Sequence, residues 1–329
     1  MSAGEPRSPV AQGGSSDGRW AQIAEIGTAR GLRFAAWFHR TFGPGPSHLA
    51  IVPASIYYAL RNTAARRGSL RYLRRVAATP EGRASLGGRP GFHQVVRHFT
   101  QFSLTLYDRV RVWGGDLDSI DLEHDGSDQI FALAERGQGA LLLGAHLGSL
   151  DLLGFIAKRH DLVMNVVAWF DNAERINRFL ESQGPEQVRM IHLDPASVRA
   201  AFEIRACLAR GEFVVVLADR FAPPGLARAQ VRTGRVDFLG HSARFPMGPF
   251  LLAGVLGCPV YLALCLRVGP DRYRTLMRPL APAGRVPRGE REKHAQELLA
   301  RYAGLLERTC LEHPLQWFNF YDFWDEESP

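Results

Sequence analysis

The chain has 329 residues, 46% of them hydrophobic and 22% charged, which is enough apolar material for a large packed core and excludes a disordered or low-complexity protein. Its formal net charge of +7 makes an anionic partner plausible, and nearly all of that charge is arginine, since Lys158 and Lys293 are the only lysines. Four scattered cysteines (Cys207, Cys258, Cys265, Cys310) have no C-x-x-C spacing, which argues against disulfides and against a zinc site.

Residues 1–18 are rich in Gly, Ser and Pro and have no apolar h-region, so they read as a disordered tail, not a signal peptide. Residues 19–115 read as a helical region of unusual charge. Between Arg19 and Arg97, thirteen arginines stand against two acids, Glu25 and Glu81. On a helical wheel for residues 19–40 the arginines share one sector, and Trp20, Ile23, Phe34 and Phe38 fill the sector beside it. Two readings fit: an ordinary helical subdomain with a solvated arginine face, or an in-plane contact with anionic lipid. Nucleic-acid binding is disfavoured, because no recognisable module accompanies the charge. No run reaches the ~20 apolar residues that span a bilayer; the best, Leu49–Leu60, is interrupted by Pro53.

Residues 116–329 read as an α/β core. The apolar runs 140–144, 162–169, 188–193, 213–218 and 260–266 predict buried strands. Helical spacing appears over 149–159, 173–182, 196–210 and 245–256, with Gly211 and Gly257 where C-terminal caps belong. Such alternation predicts a mostly parallel central sheet covered by helices on both faces, with ligands beyond the carboxyl ends of its strands. That rule directs attention to the segments after Gly144, Trp169 and Ala218.

The first of these segments is Gly144-Ala145-His146-Leu147-Gly148-Ser149-Leu150-Asp151. His146 falls at a strand end and Asp151 in the first turn of the next helix, where the dipole favours an acid. A turn can bring the Asp151 carboxylate against one imidazole nitrogen, leaving the other to take a proton from an alcohol or amine. Ser149 reads as a helix N-cap, not a nucleophile, and G-x-S-x-G, G-x-G-x-x-G and P-loop patterns are absent. The second segment holds Asp219 and Arg220 and leads, through an Arg-rich loop, to Phe238-Leu239-Gly240 and Arg244-Phe245-Pro246-Met247-Gly248-Pro249. Arg220, Arg235 and Arg244 offer charge to a phosphate or an oxyanion, and the helix start near Pro246–Gly248 offers backbone N–H groups. Each arginine also reads simply as a surface ion pair near a turn.

His146-x4-Asp151, Asp219-Arg220, Phe238-Leu239-Gly240, Phe245-Pro246-x-Gly248-Pro249 and Cys258-Pro259-Val260 together resemble the lysophospholipid acyltransferase superfamily, and more closely the bacterial lipid A-type acyltransferases. Asn172 and the tail His313-Pro314-x-Gln316-Trp317-Phe318-Asn319-Phe320 extend the likeness over nearly the whole chain. The resemblance implies transfer of a fatty acyl chain from an acyl carrier protein or CoA thioester, used as co-substrate with no other cofactor, to a lipid or glycolipid acceptor. It implies His146 as general base and Asp151 as its orienter, although many lipid A-type members carry Glu at that position. Asp219, Arg220, Arg244, Phe238, Gly240, Pro246, Gly248 and Asn172 are then expected around the substrates, and the protein peripheral on the cytoplasmic face of the bacterial inner membrane. A non-catalytic lipid-binding protein and a thioesterase-like hydrolase are the alternatives.

Overall fold

The computed structural model describes residues 37–38, 41–113, 116, 119–168, 187–192, 199–221 and 232–324, without the side chains at 44, 110, 113, 151 and 155. The helical wheel over residues 19–40 therefore falls outside the described residues, apart from Trp37 and Phe38, as do Asn172 and the helix expected over 173–182.

Among the described residues, the helices α1 (Pro44–Arg61), α2 (Thr63–Val76), α3 (Pro80–Leu86) and α4 (Phe92–Trp113) precede the sheet. Then come β1 (Asp121–Asp125), α5 (Asp128–Glu135), β2 (Leu141–Gly144), α6 (Leu150–Arg159), β3 (Met164–Ala168), β4 (Val188–His192), α7 (Arg199–Ala209) and β5 (Phe213–Leu217). The chain continues through β6 (Thr233–Phe238), β7 (His241–Pro246), α8 (Gly248–Leu256), β8 (Val260–Gly269), β9 (Arg272–Ala281) and α9 (Arg291–Glu312).

The central sheet has seven strands in the order β1-β9-β8-β2-β5-β3-β4. All neighbours pair in parallel except β8 and β9, which form an antiparallel ribbon. Alternation along each central strand decides the layering. Leu141 and Leu143 face the core shared with α2, α8, α9 and the aromatic tail, whereas Leu142 faces the core under α5 and α6. Val214 and Val216 divide from Phe213 and Val215 in the same way. A strand buried on both faces gains from a continuous apolar run, and for that reason these runs were visible in the sequence.

The expected α/β class and its five strands are present. Gly211 and Gly257 take φ of 80° and 66°, the left-handed conformation that a helix-ending glycine supplies. Four further strands were not foreseen. In β9, Tyr273, Thr275 and Met277 point inward between exposed or half-buried arginines, so polar residues hide the period of two. The helix expected over 245–256 starts only at Gly248, because Phe245 and Pro246 complete β7.

The helical N-terminal region does not stand apart. Tyr72, Leu73 and Val76 of α2 and Val95 and Phe99 of α4 are fully buried in the same cluster as Leu141 and Trp317. Among the described residues, no helix is long and apolar enough to cross a membrane.

Candidate functional site

β2 and β5 are neighbours in parallel register, with Gly144 opposite Leu217. Their carboxyl ends therefore deliver His146 and Asp219 side by side, although they lie 73 residues apart in sequence. His146 Nδ1 is 2.8 Å from Asp219 Oδ1, and the His146 backbone N–H donates to Asp219 Oδ2 at 2.9 Å. A carboxylate can only accept, so Nδ1 carries the proton and Nε2 presents a lone pair. Nε2 has no hydrogen-bond partner among the described residues, and the His146 side chain keeps 30% of its surface exposed while that of Asp219 keeps none.

The loop that carries His146 is pinned from two sides. Gly148 has φ of 76°, and a Cβ there would lie 2.1 Å from the Cys265 carbonyl oxygen, so only glycine lets the loop approach β8 this closely. Ser149 N–H donates to that same carbonyl at 2.7 Å. From the other side the C-terminal tail pairs with the loop as a short antiparallel bridge, Leu147 opposite Trp317. Gly148 N–H reaches the Gln316 carbonyl and Phe318 N–H reaches the His146 carbonyl, both at 2.9 Å. The Gln316 side chain is held in turn by both backbone groups of Arg267 at 2.8 Å. Tyr302 of α9 donates to the Gly144 carbonyl at 2.8 Å, fixing the strand end itself.

Burial works against a charge on His146 and lowers its pKa below the ordinary imidazole value, an effect strengthened by the nearby Arg220 guanidinium and opposed by Asp219. The ring is thus neutral at neutral pH, the state a base requires. For Asp219 burial acts in the opposite sense, but the charge and hydrogen bond of His146, then Arg220 and the Trp317 indole, outweigh it and bring the carboxyl to about 2. This is the arrangement of an oriented neutral base beside a buried anion, able to accept a proton from a bound hydroxyl.

Asp219 was expected near substrate. It is 1% exposed, and its oxygens accept hydrogen bonds from His146 and Trp317. The backbone of Asp151 lies in the first turn of α6 as expected, but its side chain lies outside the described residues. Ser149 holds the N-cap position of α6, yet its hydroxyl makes no capping bond.

Arg220 is half-buried beside the pair, donating to the Phe318 carbonyl at 2.6 Å with its guanidinium over the Tyr321 ring. Phe238 was also expected to line a substrate pocket, but it is 0% exposed, packed among Trp317, Phe245, Phe323 and Trp324 as a core side chain. Gly240, which is exposed, turns the β6–β7 hairpin together with the buried Leu239, both at positive φ, as a two-residue turn of this hand demands. Arg244 sits mid-hairpin opposite Arg235, Pro246 ends β7, and Gly248 opens α8.

His98 and Tyr302 carry no motif that chemistry alone would single out, and Gln316 was visible only through the resemblance of the tail. Trp317 was marked by the resemblance of the tail and by an indole that must find an acceptor when buried.

A family model described as bacterial lipid A biosynthesis acyltransferase matches residues 94–325, a span that includes both members of the His146–Asp219 pair and the tail that braces it. The chain is also 27% identical over 257 residues, 74% of its own length and 75% of the relative's, to a protein named phosphatidylinositol mannoside acyltransferase from Mycolicibacterium smegmatis (strain ATCC 700084 / mc(2)155).

Proposed function

That the chain belongs to the bacterial lipid A biosynthesis acyltransferase family is the premise from which we propose its reaction: transfer of a fatty acyl chain from a carrier-protein or CoA thioester to a hydroxyl, or amine, of a lipid-like acceptor. The observation that carries the proposal is the Nδ1–Asp219 hydrogen bond, which leaves Nε2 of a neutral His146 free to act. The acceptor O–H donates to Nε2, and as its oxygen attacks the thioester carbonyl the proton passes to the ring. The resulting oxyanion collapses, the C–S bond breaks, and the leaving thiolate recovers the proton from His146. No acyl-enzyme forms. Arg220 stands close enough to His146 to lower its pKa, and we assign it the developing oxyanion or the donor's phosphate. For the acceptor we take the class named for the Mycolicibacterium smegmatis relative, a sugar-bearing phospholipid.

Incubating the purified chain with an acyl-carrier-protein thioester or acyl-CoA and a bacterial lipid extract, with products read by mass spectrometry, tests this. Acylated lipid is the expected product. Free fatty acid alone would make the protein a hydrolase, and no product with either donor would make it a lipid-binding relative.

The same reading places the protein peripherally on the cytoplasmic face of the inner membrane. Its support is helix α1, where Leu49, Val52, Ile56, Tyr57 and Leu60 are all exposed, between 37% and 77%, next to the exposed Arg61 and Arg67. An apolar face with arginines beside it suits the boundary between headgroups and acyl chains. Sedimentation with vesicles should show binding that requires anionic lipid and weakens as salt rises. Equal binding to neutral vesicles would contradict an arginine-led contact.

A further inference from the structure

We propose that Trp317 is a positioning residue for the His146–Asp219 pair, and that Ser69 and His98 of the N-terminal helices brace it through its backbone. The Trp317 indole N–H donates to Asp219 Oδ2 at 3.0 Å, the same oxygen that accepts the His146 backbone N–H. Both oxygens of the carboxylate are therefore fixed, and its plane cannot turn away from Nδ1. Trp317 is 1% exposed and packed edge-on against Tyr72, Phe238 and Phe323, so the indole has no freedom to leave.

The brace lies on the other side of the same residue. His98 Nε2 is 2.9 Å from the Trp317 carbonyl oxygen, which can only accept, so Nε2 is the protonated nitrogen. Its Nδ1 then accepts from the Ser69 hydroxyl at 2.9 Å. His98 is 0% exposed, and burial, opposed only by the Trp317 carbonyl bond, holds its pKa down to about 3, so the ring stays neutral and keeps this tautomer through any working pH. The resulting chain of contacts runs Ser69, His98, Trp317, Asp219, His146, from α2 and α4 to the proposed base. It gives those helices a role in the chemistry beyond packing, because every link is directional and joins a donor to an acceptor.

The inference rests on His146 being the base, and Trp317→Phe tests it, keeping the ring while deleting the N–H. The variant should lose about ten- to hundredfold in kcat with KM nearly unchanged, the usual weight of a buried hydrogen bond to a charged group. Without the indole donor the Asp219 carboxylate draws harder on the Nδ1 proton and stabilises the imidazolium, so the acid limb of the pH–rate profile should move to higher pH. Arg220 is the other charge that acts on His146, and the variant leaves it in place. A wild-type kcat, or a loss in kcat with an unmoved limb, would overturn the assignment.

For the brace, His98→Gln retains a donor near the Nε2 position and should keep the wild-type rate and profile, whereas His98→Leu should repeat the Trp317→Phe loss. Equal losses in the Gln and Leu variants would reduce His98 to packing. Failure of these variants leaves the base itself standing, because His146→Ala tests that separately.

Discussion

Replacing His146 by Ala should lower the rate of acyl transfer by several orders of magnitude, about 10³- to 10⁶-fold, with the protein still folded and still bound to vesicles. The size follows from what is removed: the Nε2 lone pair of an Asp-held ring, which is proposed to take the acceptor's proton. Stability should fall modestly, not collapse. The loop is fixed by main-chain bonds that Ala can also make, from His146 N–H to Asp219 and from Phe318 N–H to the His146 carbonyl. The cost lies in the buried Asp219 carboxylate, which loses one of its three donors and keeps the other two. A thermal melt beside initial rates on one preparation separates the two effects. A variant that melts near the wild-type temperature and retains more than a tenth of its rate would remove His146 from the mechanism.

Asp219→Asn carries the second large effect, a loss of about 10³- to 10⁴-fold, as expected when an isosteric amide replaces the acid behind a catalytic imidazole. The Asn NH₂ facing Nδ1 would favour the tautomer protonated at Nε2, in which the base has no lone pair for the acceptor. Its carbonyl could still accept from Trp317, so packing should survive. Removing a charge that is 1% exposed also removes its desolvation cost, and little change in melting temperature is expected. Asp151→Asn, measured in parallel, is the control that matters. If the large loss follows Asp151 and Asp219→Asn is nearly silent, the ring is oriented by the acid in α6 and not by the one after β5.

The contrast between those two acids shows where the sequence was legible. His146 could be found because a buried strand of pure aliphatic residues ends in small ones and then in a histidine, and strand ends of parallel sheets gather chemistry. Its partner was sought five residues onward, the only place where spacing within one segment can argue proximity. Adjacency of β2 and β5 is a property of strand order, and no local pattern states that order. Asp219 was accordingly noticed as an acid at a strand end, but its hydrogen bond to His146 was not foreseen. The surroundings of Phe238 were hidden for a related reason. A Phe beside glycines looks like pocket lining until the tail folds back and surrounds it with Trp317, Phe323 and Trp324. That tail is itself instructive. Its rings join the core that α9 shares with the sheet, and the same packing delivers an indole N–H to the carboxylate beside the proposed base. Polar strands such as β1, at the sheet edge, and β9 beside it escaped because their exposed positions carry charge at every second or third residue, leaving too few apolar positions to mark a period.

The central claim is that one imidazole, neutral and held by Asp219, is the base whose ionisation governs transfer. Nitrogen-resolved NMR titration of His146, assigned by its loss in His146→Ala and set against the pH dependence of kcat/KM, tests this most directly. The predicted result is a ring protonated at Nδ1 at neutral pH, titrating below the ordinary value of 6.5, with a midpoint that coincides with the acid limb of activity. A ring protonated at Nε2, or a midpoint separated from the acid limb by a full pH unit or more, would contradict it.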